Sequence, residues 1–291
     1  VSHYEFGARD ERGALNLLSP DVTRRGLACA TTGQVVSLSL STAPGAAPIA
    51  PMRTPLQHFM ARDGGDYAAG LPERPGFGFA DDSILLACHG TTHLDALSHV
   101  WQDGVMYNGF PASEVTSRGA RRCGIEKAGP FVTRGFLVDA VPSGAVGLDP
   151  GAAVPLPVLQ AALEGCTPEP GDALLLRTGW INRWREDPSI GAVSWPGLDT
   201  DCVDWILSNG FALVGADTIG VEVCPSTDPD CASPLHIALI RDHGVYFMEL
   251  LDLDALAAAL AEAGRREFLL VAAPMPLHQA VGSPVAPVAV L

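Results

Sequence analysis

The stretch "ACHGTTHLDALSHV", residues 87–100, gathers three of the chain's eight histidines and a carboxylate into eleven residues: His89, His93, Asp95 and His99. Burying such groups without partners is costly, so the chain must bring them together. Imidazole and carboxylate are the usual donors to zinc and related divalent ions. An ion needs its donors about 2.0–2.2 Å away, and that requirement restricts the backbone. On a straight strand the four odd-numbered positions share a face, but His89 and His93 would stand roughly 13 Å apart at about 3.3 Å per residue. On a helix His89 and His93 are i,i+4 neighbours, while Asp95 and His99 point elsewhere. Neither regular structure serves all four, so the chain must bend within the stretch. Gly90 permits a bend, and Thr91 and Thr92 favour extended backbone beside it. We therefore expect a strand over "SILLAC" (83–88), with the cluster on an irregular segment after it.

The surroundings read as an α/β domain with a sizeable mixed sheet. Apolar or β-branched runs suggest strands at 34–40, 83–88, 135–141, 172–178, 211–217, 244–250 and 267–274. Helix signals are fewer. Residues 233–243 have Ser233 as N-cap, Pro234 at the first helical position and Gly244 as terminator. Residues 251–264, 199–210 and 155–165 are further candidates. Two stretches rich in Pro, Gly and Ala, 42–55 and 70–82, read as surface loops. No internal repeat or linker divides the 291 residues, which are expected to form one domain over 1–291. "GFGFAD" follows no convincing strand, so it is no dinucleotide fingerprint.

Charge narrows the partners. With 18 Lys and Arg against 33 Asp and Glu, the chain carries a net charge of −15, which argues against nucleic acid and anionic membranes. No apolar run reaches the roughly 18 residues of a spanning helix. The segment "VSHYEFGARDERG" is polar and reads as no secretory signal. Seven cysteines, without a CxxC pair, read as reduced thiols of a cytoplasmic protein rather than a thiolate zinc site.

Two further candidates lie downstream. His236 falls in the first turn of the helix expected at 233–243, and Glu249 ends the strand after it. A helix packed on its own following strand can bring these two together. His243, beside Gly244, reads instead as a cap of the helix C-terminus. HExxH, GxSxG and P-loop motifs are all missing, which removes support for phosphate chemistry and serine nucleophiles. His58, Trp101, Tyr107 and Trp180 are candidate substrate contacts, each equally readable as packing. Trp184, Trp195 and Trp205 are assigned to packing. Asp217 and Glu222 could orient metal-bound histidines or simply be solvated loop carboxylates.

"HGTTHLDALSH" resembles the HxGTHxDxPxH signature of the metal-dependent cyclase-like hydrolases, which include bacterial kynurenine formamidase and isatin hydrolase. "WQDGVMYNG", "GDALLLRTGW", "LHIALIRDHGVYFMELLDLDAL" and "GSPVAPVAVL" extend the resemblance, to the longer bacterial branch, over most of the chain. It implies a swivelling β/β/α fold, one or two divalent ions (Zn2+ or Mn2+), a small-molecule substrate, and a homodimer or homotetramer. By position, His89, His93 and Asp95 match ligands of a first ion. Asp95, His236 and Glu249 match those of a second, and His99 matches the catalytic histidine. Thr91 stands where the family has Gly, and Leu97 where it has Pro; neither change removes a ligand. The implied activity is hydrolysis of an amide, lactam or lactone bond in a small cyclic or N-acyl substrate. Ring closure or dehydration at the same site is the alternative.

Overall fold

Three consecutive leucines in "ALLLR" and the apolar runs "LVGA" and "YFME" have no polar alternation. Such runs suit parallel strands buried on both faces. A computed structural model of the chain describes residues 4–72 and 74–291; residue 73, within the loop expected at 70–82, lies outside them. Its main strands are β1 (Val35–Ser37), β2 (Gln57–Arg62), β3 (Asp81–Leu85), β4 (His93–Asp95), β5 (Phe131–Asp139), β6 (Ala173–Arg177), β7 (Leu213–Ala216), β8 (Tyr246–Glu249), β9 (Glu267–Ala272), β10 (Gly282–Pro284) and β11 (Val288–Val290). Nine of them form one curled mixed sheet in the order β1-β11-β9-β5-β6-β7-β8-β4-β10. The inner four, β5 to β8, are parallel, and every other pairing is antiparallel. The expected α/β class with a mixed sheet is the one observed.

Leu174, Leu175, Leu176, Leu213, Val214 and Phe247 are fully buried in this sheet. Helices at Leu156–Ala162, Val203–Asn209 and Asp254–Ala263 fall where the sequence places them. The last two end on Gly210 and Gly264 with φ of 74° and 61°, the left-handed backbone that favours glycine. Helices at Pro20–Leu27 and Trp180–Glu186 were not foreseen. Among the described residues no helix is long and apolar enough to cross a membrane, and all seven cysteines are free thiols.

The expectation for residues 83–99 needs correction in two respects. The strand ends at Leu85 and, among the described residues, pairs only with β2, as an exposed arm outside the main sheet. The cluster is not wholly irregular either: His93, Leu94 and Asp95 form β4, between β8 and β10. The bend does come at Gly90, whose N–H donates to the Ala87 carbonyl at 2.8 Å. Gly90 does not use the left-handed region, however. Its lack of a side chain matters more, because a Cβ there would stand 3.1 Å from that same carbonyl oxygen.

Candidate metal centre

Strand geometry explains how the donors meet. His93 and Asp95 are two residues apart on β4 and so share a face, while Leu94 points into the core and is fully buried. The register sets Glu249 of β8 directly opposite His93, and side chains so paired are close neighbours. On the other side Gly282 of β10 lies opposite Asp95. A Cβ at Gly282 would collide with the His89 ring, so this glycine makes room for His89, delivered by the turn before β4. Thr92 pins that turn: its hydroxyl accepts from the Leu40 amide at 2.8 Å and donates to the Leu250 carbonyl at 2.5 Å.

The result is a buried cluster of facing donors. His89 Nε2 stands 3.2 Å from Asp95 Oδ1, and His93 Nε2 stands 3.4 Å from the same oxygen. His93 Nε2 is 3.2 Å from Glu249 Oε2, and His236 Nε2 is 3.4 Å from Glu249 Oε1 and 3.8 Å from Asp95 Oδ2. His93 and Asp95 are fully buried and Glu249 is 2 % exposed. Yet His89 Nε2, His93 Nε2, both Asp95 oxygens and Glu249 Oε1 are buried with no hydrogen-bond partner among the described residues. Unsatisfied atoms in such a concentration are rare in folded proteins. Adjacent donors around a tetrahedral ion with bonds of 2.0–2.1 Å stand about 3.3 Å apart, which is the spacing seen here. The residues present therefore fit a divalent cation. Two donor groups can be distinguished, His89 with Asp95 and His99, and His93 with Asp95 and Glu249, and Asp95 belongs to both.

Hydrogen bonds fix which nitrogen faces the cluster. His93 Nδ1 donates to the Thr91 carbonyl at 2.7 Å, which turns Nε2 toward the cluster. The Nδ1 of His236 bonds to the Glu222 carboxylate, and its Nε2 is likewise turned inward. Glu222 also accepts from the Leu235 amide at 2.7 Å and the His236 amide at 3.2 Å. It thereby takes the capping role expected of Ser233. Helical backbone runs from 234 to 243, with a π-helical turn at His236–Arg241, a form common at functional sites. His243 bonds the Ala238 carbonyl at 2.7 Å and so caps its own helix.

Charge in the cluster is interdependent. Burial opposes a proton on His93, but Asp95 and Glu249 outweigh it and hold its pKa up at about 9. For His236, burial is likewise outweighed by Glu222 and Glu249, and its pKa lies well above the usual value. Burial acts against ionised Asp95 as well, yet His99, His89 and His93 hold its carboxyl well below the ordinary range. His99 is different: burial pushes it down to about 3, so its ring is neutral. That ring stacks on His89, centroids 4.1 Å apart and planes 23° from parallel.

His99 and His236 also line a cavity of about 410 Å3, with Trp101, Cys231, Ser233 and Ile237 among its walls. Trp101 is 48 % exposed at this mouth. The other three candidate substrate contacts do not line it. His58 lies on β2, paired with Asp82 at 2.8 Å. Tyr107 is buried and its hydroxyl donates to Asp10, because the N-terminal segment packs over it. Trp180 is fully buried in a second apolar cluster with Leu40, Ile219 and Leu250. Glu222 is the residue that sequence reasoning left undecided. A lone acid in the apolar run "IGVEVC" was the available signal, since a buried carboxylate demands donors. Asp217, its rival, accepts from the Thr178 and Gly179 amides and holds the start of the Trp180 helix.

The profile of the putative cyclase family matches residues 36–223. A crystal structure described as a novel cyclase is 35 % identical, with TM-score 0.89, covering 100 % of this chain and 98 % of that one. The isatin hydrolase of Roseibium aggregatum is 25 % identical over 215 residues, 71 % of this chain and 73 % of that protein. An isatin hydrolase bound to the product analogue thioisatinate shares the fold at TM-score 0.65 and 20 % identity, over 94 % and 99 % of the two chains.

Proposed function

The chain belongs to the putative cyclase family, and on that premise we propose that it is a metal-dependent hydrolase of amide, lactam or lactone bonds in small cyclic or N-acyl substrates. The observation that carries this reading is the set of buried, unpartnered donor atoms beside an open cavity. His89, His93 and Asp95 would hold one ion, and Asp95, His236 and Glu249 offer donors for a second. Zinc or manganese suits such nitrogen and oxygen donors. A bound ion supplies Lewis acidity, which acidifies water and polarises a carbonyl.

The protein's own residues do the rest. His99 reaches both the donors and the cavity, and from there it would take a proton from the attacking water. It then delivers that proton to the leaving nitrogen or oxygen as the bond breaks. Trp101 offers an apolar wall to the part of the substrate outside the reacting bond. Leu94 and the sheet behind it keep water from the far side of the donors.

The test is metal analysis followed by a panel of formamides, lactams and lactones. Turnover should vanish on chelation and return with zinc or manganese. A metal-loaded protein inert towards the whole panel, or turnover indifferent to chelation, would refute the proposal. Glu222 gives a narrower check. Orienting partners of metal-bound histidines are worth roughly 10–100-fold in affinity. Glu222→Gln should weaken metal binding by about that factor, read by competition with a chromophoric chelator. Unchanged affinity would reduce Glu222 to a helix cap.

A further inference from the structure

A carboxylate can aim a histidine ring only if its own backbone is held. Glu222 lies in the connection between β7 and the helical residues 234–243. From there its carboxylate meets the amides of Leu235 and His236 and the His236 ring. The segment 195–198 is what holds it. Trp195 and Cys224 exchange both main-chain hydrogen bonds, each at 3.0 Å. The Leu198 amide donates to the Val221 carbonyl at 3.0 Å, and the Val223 amide donates to the Leu198 carbonyl at 3.1 Å. This pairing serves the residues on either side of Glu222 and leaves its own carbonyl over. The Trp195 indole N–H supplies a donor, reaching that carbonyl at 2.9 Å. The segment is anchored in turn, since Gly197 and Leu198 pair in parallel with Ala153 and Val154. Two glycines let the parts approach. A Cβ at Gly197 would collide with the Glu222 backbone, and one at Gly220 would stand 3.2 Å from the indole nitrogen.

Sequence alone gives Trp195 a packing role, and its ring does pack, edge-on to Trp180 with centroids 6.5 Å apart. The two indoles differ at their nitrogens. Trp180 Nε1 is buried with no hydrogen-bond partner among the described residues, whereas Trp195 Nε1 binds the peptide that carries Glu222. We propose that Trp195 is a positioning residue for the His236 donor, acting through Glu222. Its indole N–H fixes the Glu222 peptide, and the peptide sets the aim of the carboxylate. The carboxylate then holds Nδ1 of His236, so that Nε2 faces Asp95 and Glu249. Trp195 thereby raises the affinity for the ion that Asp95, His236 and Glu249 would hold, a statement that rests on the reading of His236 as a metal donor. A phenylalanine would pack in the same place but leave the Glu222 carbonyl without its donor, and a buried unpaired carbonyl favours local rearrangement.

Trp195→Phe should weaken zinc binding by roughly 3–10-fold, the worth of one hydrogen bond, against roughly 10–100-fold for Glu222→Gln. Competition with a chromophoric chelator reads both. Trp180→Phe, which removes an N–H without a partner among the described residues, should change the affinity little. The double variant Trp195→Phe/Glu222→Gln should bind zinc as Glu222→Gln does, because residues acting through one another are not additive. A tryptophan that only packs would add its own loss. In the metal-free protein the His236 Nδ1 proton, followed by NMR, should exchange with water faster in Trp195→Phe and at an unchanged rate in Trp180→Phe. Coupling runs both ways, so zinc should slow exchange of the Trp195 indole proton in the unaltered protein. That measurement stands even if the variant does not fold. Unchanged zinc affinity in Trp195→Phe, additive losses in the double variant, or a Trp195 indole proton indifferent to bound zinc would each overturn the assignment. An unaltered protein that binds no zinc refutes the metal reading instead, and the His236 proton then decides the positioning role by itself.

Discussion

Asp95→Ala is expected to abolish metal binding and turnover together. Asp95 is the one residue in both donor groups, and its two oxygens face His89 and His93 on one side and His236 on the other. Its loss should cost more than the roughly 10–100-fold in metal affinity that an outer hydrogen bond is worth. Asp95→Asn should do nearly the same, since it keeps the shape but removes the charge that compensates a cation. Metal content after dialysis is the measurement, and retention of stoichiometric metal by either variant would exclude Asp95 as a ligand.

Acidity sharpens this prediction. In the metal-free protein His93 keeps its proton up to about pH 9, against an ordinary value near 6.5. A raised folded-state pKa contributes stability that is complete below about pH 6.5 and lost as pH climbs through about 9. A cation must displace that proton, so binding strengthens over the same interval. The gap in melting temperature between metal-loaded and metal-free protein should therefore widen from pH 6.5 to pH 9, and in Asp95→Ala it should be absent at every pH.

The parts of this centre legible in the sequence are those that obey short-range rules. Spacing alone demanded a bend between His89 and His93, and the bend is at Gly90. His236 and Glu249 could be paired because a helix and its following strand are connected neighbours. The placement of β4 was hidden, because three residues carry no periodicity to detect. Its neighbours are set by pairing with strands about 155 and 190 residues away in sequence, "YFME" and "GSP". Gly282 illustrates the same limit: the need for a glycine there comes from the His89 ring across the sheet, not from local backbone. The arm was misread for a related reason. "SILLAC" has the composition of a core strand, and composition does not show that Ser83 to Leu85 pair with Gln57 to Phe59 outside the main sheet.

His99→Ala should separate holding metal from using it. His99 sits with His89 and Asp95 among the possible donors, but it also lines the cavity. His93, by contrast, is fully buried among the donors and does not line the cavity. A histidine with one side on the donors and one on the mouth is placed to move a proton between water and substrate. General acid–base transfer of that kind is worth about 10²–10⁴-fold. The variant should therefore keep its metal and lose roughly that factor in kcat, with KM little changed. Added imidazole should restore part of the rate, because the cavity left at residue 99 opens to solvent. His93→Ala should lose metal as well as rate, and imidazole should not rescue it. If His99→Ala also comes through dialysis without metal, His99 is a ligand, and the proton must be carried by another group at the mouth.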